Sequence, residues 1–168
     1  MKYGLIGKPL GHSFSREIHA LIADYDYRLF EIDEDELPRF FENREFSGIN
    51  VTIPYKQAVI PFLDEISDEA KKIGAVNTIV NRCGKLYGYN TDFFGMRALV
   101  KSAGLDLENK KVLILGTGGT SKTAFEVAKT LNAKEIVKVS RKASSDAVSY
   151  DEAYERFSDA DVIINTTP

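Results

Sequence analysis

The apolar positions of this chain fall into short runs whose period switches repeatedly between that of a strand and that of a helix. A first strand is predicted over residues 2–6, running into the loop Gly7-Lys8-Pro9-Leu10-Gly11. Ile18, Leu21, Ile22 and Tyr25 then recur at helical spacing, which places a helix start near Ser13 or Ser15. Residues 27–32 alternate as a strand. Leu37, Phe40 and Phe41 make a second helical face, with Pro38 tolerable only in its first turn. A third strand is predicted over 48–53, stopped by Pro54. Ser67-Asp68-Glu69 opens a short helix that Gly74 ends, and 76–81 with 85–89 read as a strand pair around Cys83-Gly84. Asp92 can N-cap a helix that turns Met96, Leu99, Val100 and Ala103 to one side, with Gly104 at its end.

Residues 105–110 read as a polar connector. A strict strand–helix–strand pattern follows over 111–115, 121–131 and 136–139, with Ala124, Val127, Ala128 and Leu131 inward. Ser149 with Glu152 has the pattern of a capping box and opens another helix, and 161–164 reads as a buried parallel strand. Alternating strands and helices with aliphatic strands predict an α/β fold with parallel sheets. The expected organisation is a mixed, mainly parallel α/β domain over 1–106, then over 107–168 the first βαβαβ half of a Rossmann-like dinucleotide domain. Asn165-Thr166-Thr167-Pro168 reads as a loop leaving the last strand. The open sheet edge there predicts that the chain is the front part of something longer.

Composition narrows the classes. A chain of 168 residues with 43% hydrophobic and 11% aromatic content can bury a core. The net charge of −3 argues against nucleic acid as a general partner. No apolar run approaches the roughly 18 residues of a membrane-spanning helix, and the first residues are too short an apolar stretch for a signal peptide. Cys83 is the single cysteine, cannot form an internal disulfide, and fits a reducing cytoplasm.

The sharpest chemical signal is Gly116-Thr117-Gly118-Gly119-Thr120-Ser121 at a strand-to-helix junction. A Walker A loop would need a glycine where Ser121 stands, because successive backbone N–H groups wrap the β-phosphate there. The candidate magnesium-side strand ends in Asn165 rather than Asp. A dinucleotide site needs Gly116 for the tight turn, Gly118 for close approach of the pyrophosphate, and only a small residue at the third position. The helix N-terminus then offers free N–H groups and a positive dipole end. The next strand ends in Ser140-Arg141-Lys142, where an NAD site usually has an acidic residue; two cations suit a 2′-phosphate, so the cofactor reads as NADP. A glycine turn that merely packs helix on strand is the plainer alternative, and the βαβ context with Arg141 disfavours it.

The first domain carries weaker signals, each with an ordinary structural explanation when taken alone. Ser13-Phe14-Ser15 places two hydroxyls at a loop-to-helix junction, where a carboxylate can be held. Asn50 and Thr52 point to one side at a strand's carboxyl end. Lys56 lies in the loop where an α/β crevice opens. Asn77-Thr78 and Asn90-Thr91-Asp92 repeat an Asn-Thr pair.

Together, His12-Ser13-Phe14-Ser15, Asn50-Val51-Thr52-Ile53-Pro54-Tyr55-Lys56, Gly74-Ala75-Val76-Asn77-Thr78, Asn90-Thr91-Asp92 and Gly116-x-Gly118-Gly119 stand in the order and approximate spacing of shikimate dehydrogenase, and the chain resembles that family from residue 1 to its end. The resemblance implies reversible NADPH-dependent reduction of 3-dehydroshikimate to shikimate, on the route to chorismate and the aromatic amino acids, by a cytoplasmic monomer or homodimer. It implies that Ser13 and Ser15 bind the substrate carboxylate and that Thr52, Asn77 and Asp92 bind its hydroxyls. Lys56 would be the acid/base with Asp92 beside it. Asp68 would lie on the cofactor side, Gly116, Thr117, Gly118, Gly119 and Thr120 would hold the pyrophosphate, and Ser140, Arg141 and Lys142 the 2′-phosphate.

Two local departures stand out: Arg16 replaces the family's usual proline, and Ser140-Arg141-Lys142 replaces its usual Asn-Arg-Thr. The segment that lines the family's nicotinamide pocket is not in these 168 residues, so they are expected to give little or no turnover alone. A noncatalytic module that binds shikimate and nucleotide, a quinate/shikimate dehydrogenase preferring NAD, and a P-loop NTPase are the competing readings, in that order.

Overall fold

The computed structural model describes residues 2–11 and 13–167. His12 of the first motif and Pro168 of the final loop lie outside the described residues. The chain forms two compact units, residues 1–91 and 92–168. The division falls earlier than the expected 106/107 because the helix that begins at Asp92 packs against the helix after the glycine turn.

The first unit is a six-stranded sheet in the order β2-β1-β3-β5-β6-β4. Its strands are β1 (Tyr3–Gly7), β2 (Tyr27–Glu31), β3 (Gly48–Val51), β4 (Glu65–Ile66), β5 (Thr78–Arg82) and β6 (Lys85–Tyr89). β1 pairs in parallel with β2 and β3, β5 runs antiparallel to both β3 and β6, and β4 is parallel to β6. The sheet is therefore mixed, as expected, though β4 is too short to show a period. β3 ends at Val51, short of the predicted Ile53.

Alternation along the strands separates two faces. Ile6, Ile49, Val51 and Ile79 enter the main core with Leu37 and Phe41 of α2 (Leu37–Asn43), together with Tyr55 and Val59. Leu5, Asn50 and Thr78 are register partners across β1, β3 and β5 and take the opposite face. That face carries the polar side chains of Asn50 and Thr78. Pro38 sits in the first turn of α2, where its missing N–H costs no helical bond. α3 (Asp68–Ile73) is bounded as the sequence indicates: Ser67 caps it, and Gly74 ends it in the left-handed conformation at φ 69°.

α1 (Ser15–Ile22) begins where predicted, but its apolar residues are not a buried face. No residue of α1 is buried, and Leu21 is 90% exposed. Helical spacing reports the helix, not what covers it.

The second unit holds a four-stranded parallel sheet in the order β10-β7-β8-β9, from β7 (Lys111–Leu115), β8 (Glu135–Ser140), β9 (Val148–Ser149) and β10 (Val162–Asn165). α4 (Asp92–Ser102), α5 (Gly119–Thr130) and α6 (Tyr150–Arg156) complete it. Ala124, Val127 and Ala128 of α5 are fully buried, as their spacing requires. The strand order reverses beside β7, because β9 follows β8 outward and β10 crosses to the other side. Such a reversal opens a crevice at the strands' carboxyl ends.

Three expectations are corrected here. Asp92 is the first residue of α4 rather than its preceding cap. The inward residues of α4 are Phe93 and Val100, while Leu99 is 66% exposed and Ala103 is also exposed, so the face is turned by about one residue from the predicted one. β10 is an edge strand with Ile163 62% exposed, not a buried one. The 105–110 connector is polar by composition, yet Leu107 within it is 1% exposed while Leu105 is 49% exposed. Leu107→Ala should lower the unfolding free energy by about 2–4 kcal/mol and Leu105→Ala by less than about 1 kcal/mol, read by urea denaturation. Equal effects would remove Leu107 from the core.

Candidate active site

The substrate-side candidates of the first unit lie along the polar face of its sheet and on the turns beside it, while Asp92 opens α4 in the second unit. Ser13 lies just before α1, and its Oγ accepts the Ser15 backbone N–H at 3.3 Å. The Ser15 hydroxyl in turn bonds the phenol oxygen of Tyr27, which opposes part of the effect of burying that ring. Tyr27 donates to Asn50 Oδ1 at 2.8 Å, and Asn50 Nδ2 donates to Thr78 Oγ1 at 3.3 Å. Thr78 donates to Asn77 Oδ1 at 3.1 Å, and Asn77 Nδ2 donates to Thr91 Oγ1 at 3.0 Å. The Thr91 backbone N–H also donates to Asn77 Oδ1, at 2.8 Å. A continuous row of hydrogen bonds thus runs from the first turn of α1 across β2, β3 and β5 to the residue before Asp92.

Thr52 and Lys56 sit just after β3. Thr52 is on the same side as Asn50, and its position depends on Gly7: a Cβ there would lie 2.4 Å from Thr52 Cγ2 and 2.9 Å from Leu10 Cδ2. The Lys56 backbone is pinned because its carbonyl accepts Val76 N–H at 2.7 Å. The preceding Tyr55 is buried, with its hydroxyl donating to the Ile32 carbonyl at 2.6 Å. The Lys56 side chain is therefore carried by a fixed turn and is half-buried. Asn90 is 2% exposed and donates to the Ala75 carbonyl at 3.0 Å, which ties the 74–78 motif to the 90–92 motif.

The nucleotide-side candidates form a second group. Gly116 has φ 109°, a conformation that L side chains rarely adopt, and a Cβ on it would meet Thr166 Oγ1 at 2.9 Å. Gly118 precedes α5, and Gly119 opens it. A Cβ on either would find nothing within 4 Å, so the approach to the helix N-terminus is open. Thr117 and Thr120 are exposed. Ser121 is fully buried and donates through Oγ to the Gly118 carbonyl at 2.7 Å, closing the turn on the inner side. Ser140 ends β8 and donates through its hydroxyl to the Lys142 carbonyl. Arg141 and Lys142 are exposed. Open glycines, a helix N-terminus and two exposed cations fit an NADP pyrophosphate and 2′-phosphate.

Asp68 is not among the residues of the hydrogen-bonded row in the first unit. It stands exposed in the first turn of α3 and pairs with Lys71 at 3.8 Å. An acidic residue there favours the helix dipole. Tyr27 is a residue of the row that sequence reasoning passed over, and Thr78 and Thr91 appeared there only as members of Asn-Thr motifs, without a role. Register alone could have found Thr78, which lies opposite Asn50. Tyr27 reaches the row only through the length of its side chain.

The family profile described as the shikimate dehydrogenase substrate binding domain matches residues 5–79. A shikimate dehydrogenase (NADP(+)) of Clostridium beijerinckii is 42% identical over 181 residues, with 99% of this chain and 67% of that protein covered. The solved structure of shikimate dehydrogenase 1 from Peptoclostridium difficile superposes with a TM-score of 0.86 at 38% identity, covering 99% of this chain and 67% of that one. Shikimate 5-dehydrogenase from Thermus thermophilus, in complex with NADP(H) and shikimate, superposes with a TM-score of 0.86 at 29% identity, covering 99% of this chain and 68% of that one. No helix among the described residues is long and apolar enough to cross a membrane.

Burial pushes the Tyr27 phenol up to about 12. Its neutral form is the one the fold prefers, so the unfolded chain ionises first as pH rises from about 10. Stability should fall by roughly 2 kcal/mol between about pH 10 and pH 12 for this reason, and Tyr27→Phe should remove that part of the loss. Identical alkaline profiles for the two proteins would contradict the burial of this phenol.

Proposed function

The chain belongs to the shikimate dehydrogenase family, and on that premise we propose that it serves the reversible, NADP-dependent interconversion of 3-dehydroshikimate and shikimate. The observation that carries the reading is the hydrogen-bonded row on one sheet face, with Lys56 on a fixed turn just after β3. Serine hydroxyls and backbone N–H groups at the start of α1 suit a carboxylate. The hydroxyl and amide groups of Thr52 and Asn77 suit a polyhydroxylated ring, with the Asp92 carboxylate accepting from its hydroxyls.

When bound, NADP supplies the nicotinamide that accepts hydride from the substrate C–H. Lys56 takes the proton from the substrate hydroxyl in that direction and returns it to the carbonyl oxygen in reduction. As an ammonium it also stabilises the charge that develops on that oxygen. Gly116 to Thr120 would hold the pyrophosphate, and Arg141 with Ser140 and Lys142 would hold the 2′-phosphate. The partners are small molecules, met by a monomer or homodimer; the single cysteine supports a reducing cytoplasm, and the net charge of −3 argues against nucleic acid as a general partner.

Steady-state reduction of NADP by shikimate tests the reading. The turnover expected of these residues alone is small, and it should be with NADP in preference to NAD. Binding of both ligands with no turnover at all would instead fit a noncatalytic module that holds shikimate and nucleotide. Lys56→Met should lower turnover by about 10²-fold or more while the Kd for shikimate stays within severalfold. Equal losses in both would remove Lys56 from acid/base work. Arg141→Ala should weaken NADP about tenfold or more and NAD hardly at all, read by calorimetry; parallel losses would take the 2′-phosphate away from Arg141.

A further inference from the structure

Behind the Ser13–Ser15 turn stands a group of aromatic side chains that the proposed chemistry does not use. His19 lies one turn after Ser15 on α1, so both project from the same side of that helix. Its imidazole lies flat on the Tyr27 ring, with centroids 3.8 Å apart and planes 15° from parallel. Its Nδ1 meets the Tyr25 hydroxyl, and the Tyr25 ring packs on Tyr3 at 4.9 Å. The imidazole is thus held at one edge and stacked on one face. The ring beneath it is the one whose hydroxyl donates to Asn50. α1 buries no residue of its own, and this stack joins it to β2 one turn after Ser15.

We infer that His19 is a positioning residue for the anion side of the substrate pocket: stacked on Tyr27 and anchored by Tyr25, it fixes both the phenol and the first turn of α1, and so the paired hydroxyls of Ser13 and Ser15. The inference rests on the shikimate reading of that pocket. It assigns His19 no contact with substrate. Its effect is confined to the end of the ligand that the serines receive, the carboxylate. A ligand lacking that charge does not need the fixed turn.

The test is calorimetric binding of shikimate and of its methyl ester to the wild-type chain, His19→Ala and His19→Phe. His19→Ala should weaken shikimate about tenfold and the ester less than about twofold, the size expected of one lost aromatic stack. His19→Phe keeps a ring on Tyr27 and should hold shikimate within about threefold of wild type. An unchanged His19→Ala, an equal loss for both ligands, or a His19→Phe as weak as His19→Ala overturns the inference and leaves the pocket reading intact. A wild-type chain that binds neither ligand overturns the pocket reading, and this inference with it. If His19→Ala does not fold, His19→Asn, which also removes the ring, takes its place against His19→Phe under the same outcomes.

Discussion

The amide of Asn77 is the constraint on which the substrate side of this protein depends. It is 8% exposed, so its oxygen and nitrogen cannot rely on water and must be met within the chain. Thr78 and Thr91 meet them, from the start of β5 and from the end of the first unit. Satisfying one buried side chain thereby fixes the backbone that leads into Asp92. The same row continues through Asn50 and Tyr27 to the head of α1, so Ser15 and Thr91, far apart in sequence, belong to one network. Networks of this kind are costly when broken at one member, because the remaining members are left unpaired in low dielectric.

The sheet makes that row possible. Leu5, Asn50 and Thr78 are direct register partners, so a polar pair is set on one face while Ile6, Val51 and Ile79 fill the core on the other. Gly7 has a related role: with no Cβ it lets the Thr52 methyl pack against the end of β1. In the second unit backbone geometry has a comparable part. Gly116 takes a left-handed turn against Thr166, and Gly118 and Gly119 leave the start of α5 uncovered. Ser121 replaces the third glycine of the usual dinucleotide turn without obstructing it, because its hydroxyl turns inward to the Gly118 carbonyl.

The features legible in the sequence were those with local causes. Ser67 and Gly74 bound α3, Ser149 caps α6 by accepting the Glu152 N–H, and the glycine turn sits between β7 and α5. Most candidate site residues stand in short motifs beside strands and helices, but their roles came from the order and spacing that those motifs share with shikimate dehydrogenase. The features that were not legible depend on partners distant in sequence. The inward face of α4 is set by α5, not by its own period, and Leu107 is buried although its neighbours are polar. β9 has two residues and is recognisable only by its pairing with β8. Tyr27 looks like any strand aromatic until β3 places Asn50 within its reach.

If the row from Ser15 to Thr91 is the face that receives shikimate, amide-resolved NMR titration of this chain with shikimate reads it most directly. Shifts should concentrate at Ser13, Ser15, Asn50, Thr52, Asn77 and Thr91, with Gly116 to Thr120 unmoved until NADP is added. Saturating shikimate that leaves the row unperturbed, or that moves the glycine turn instead, would contradict it.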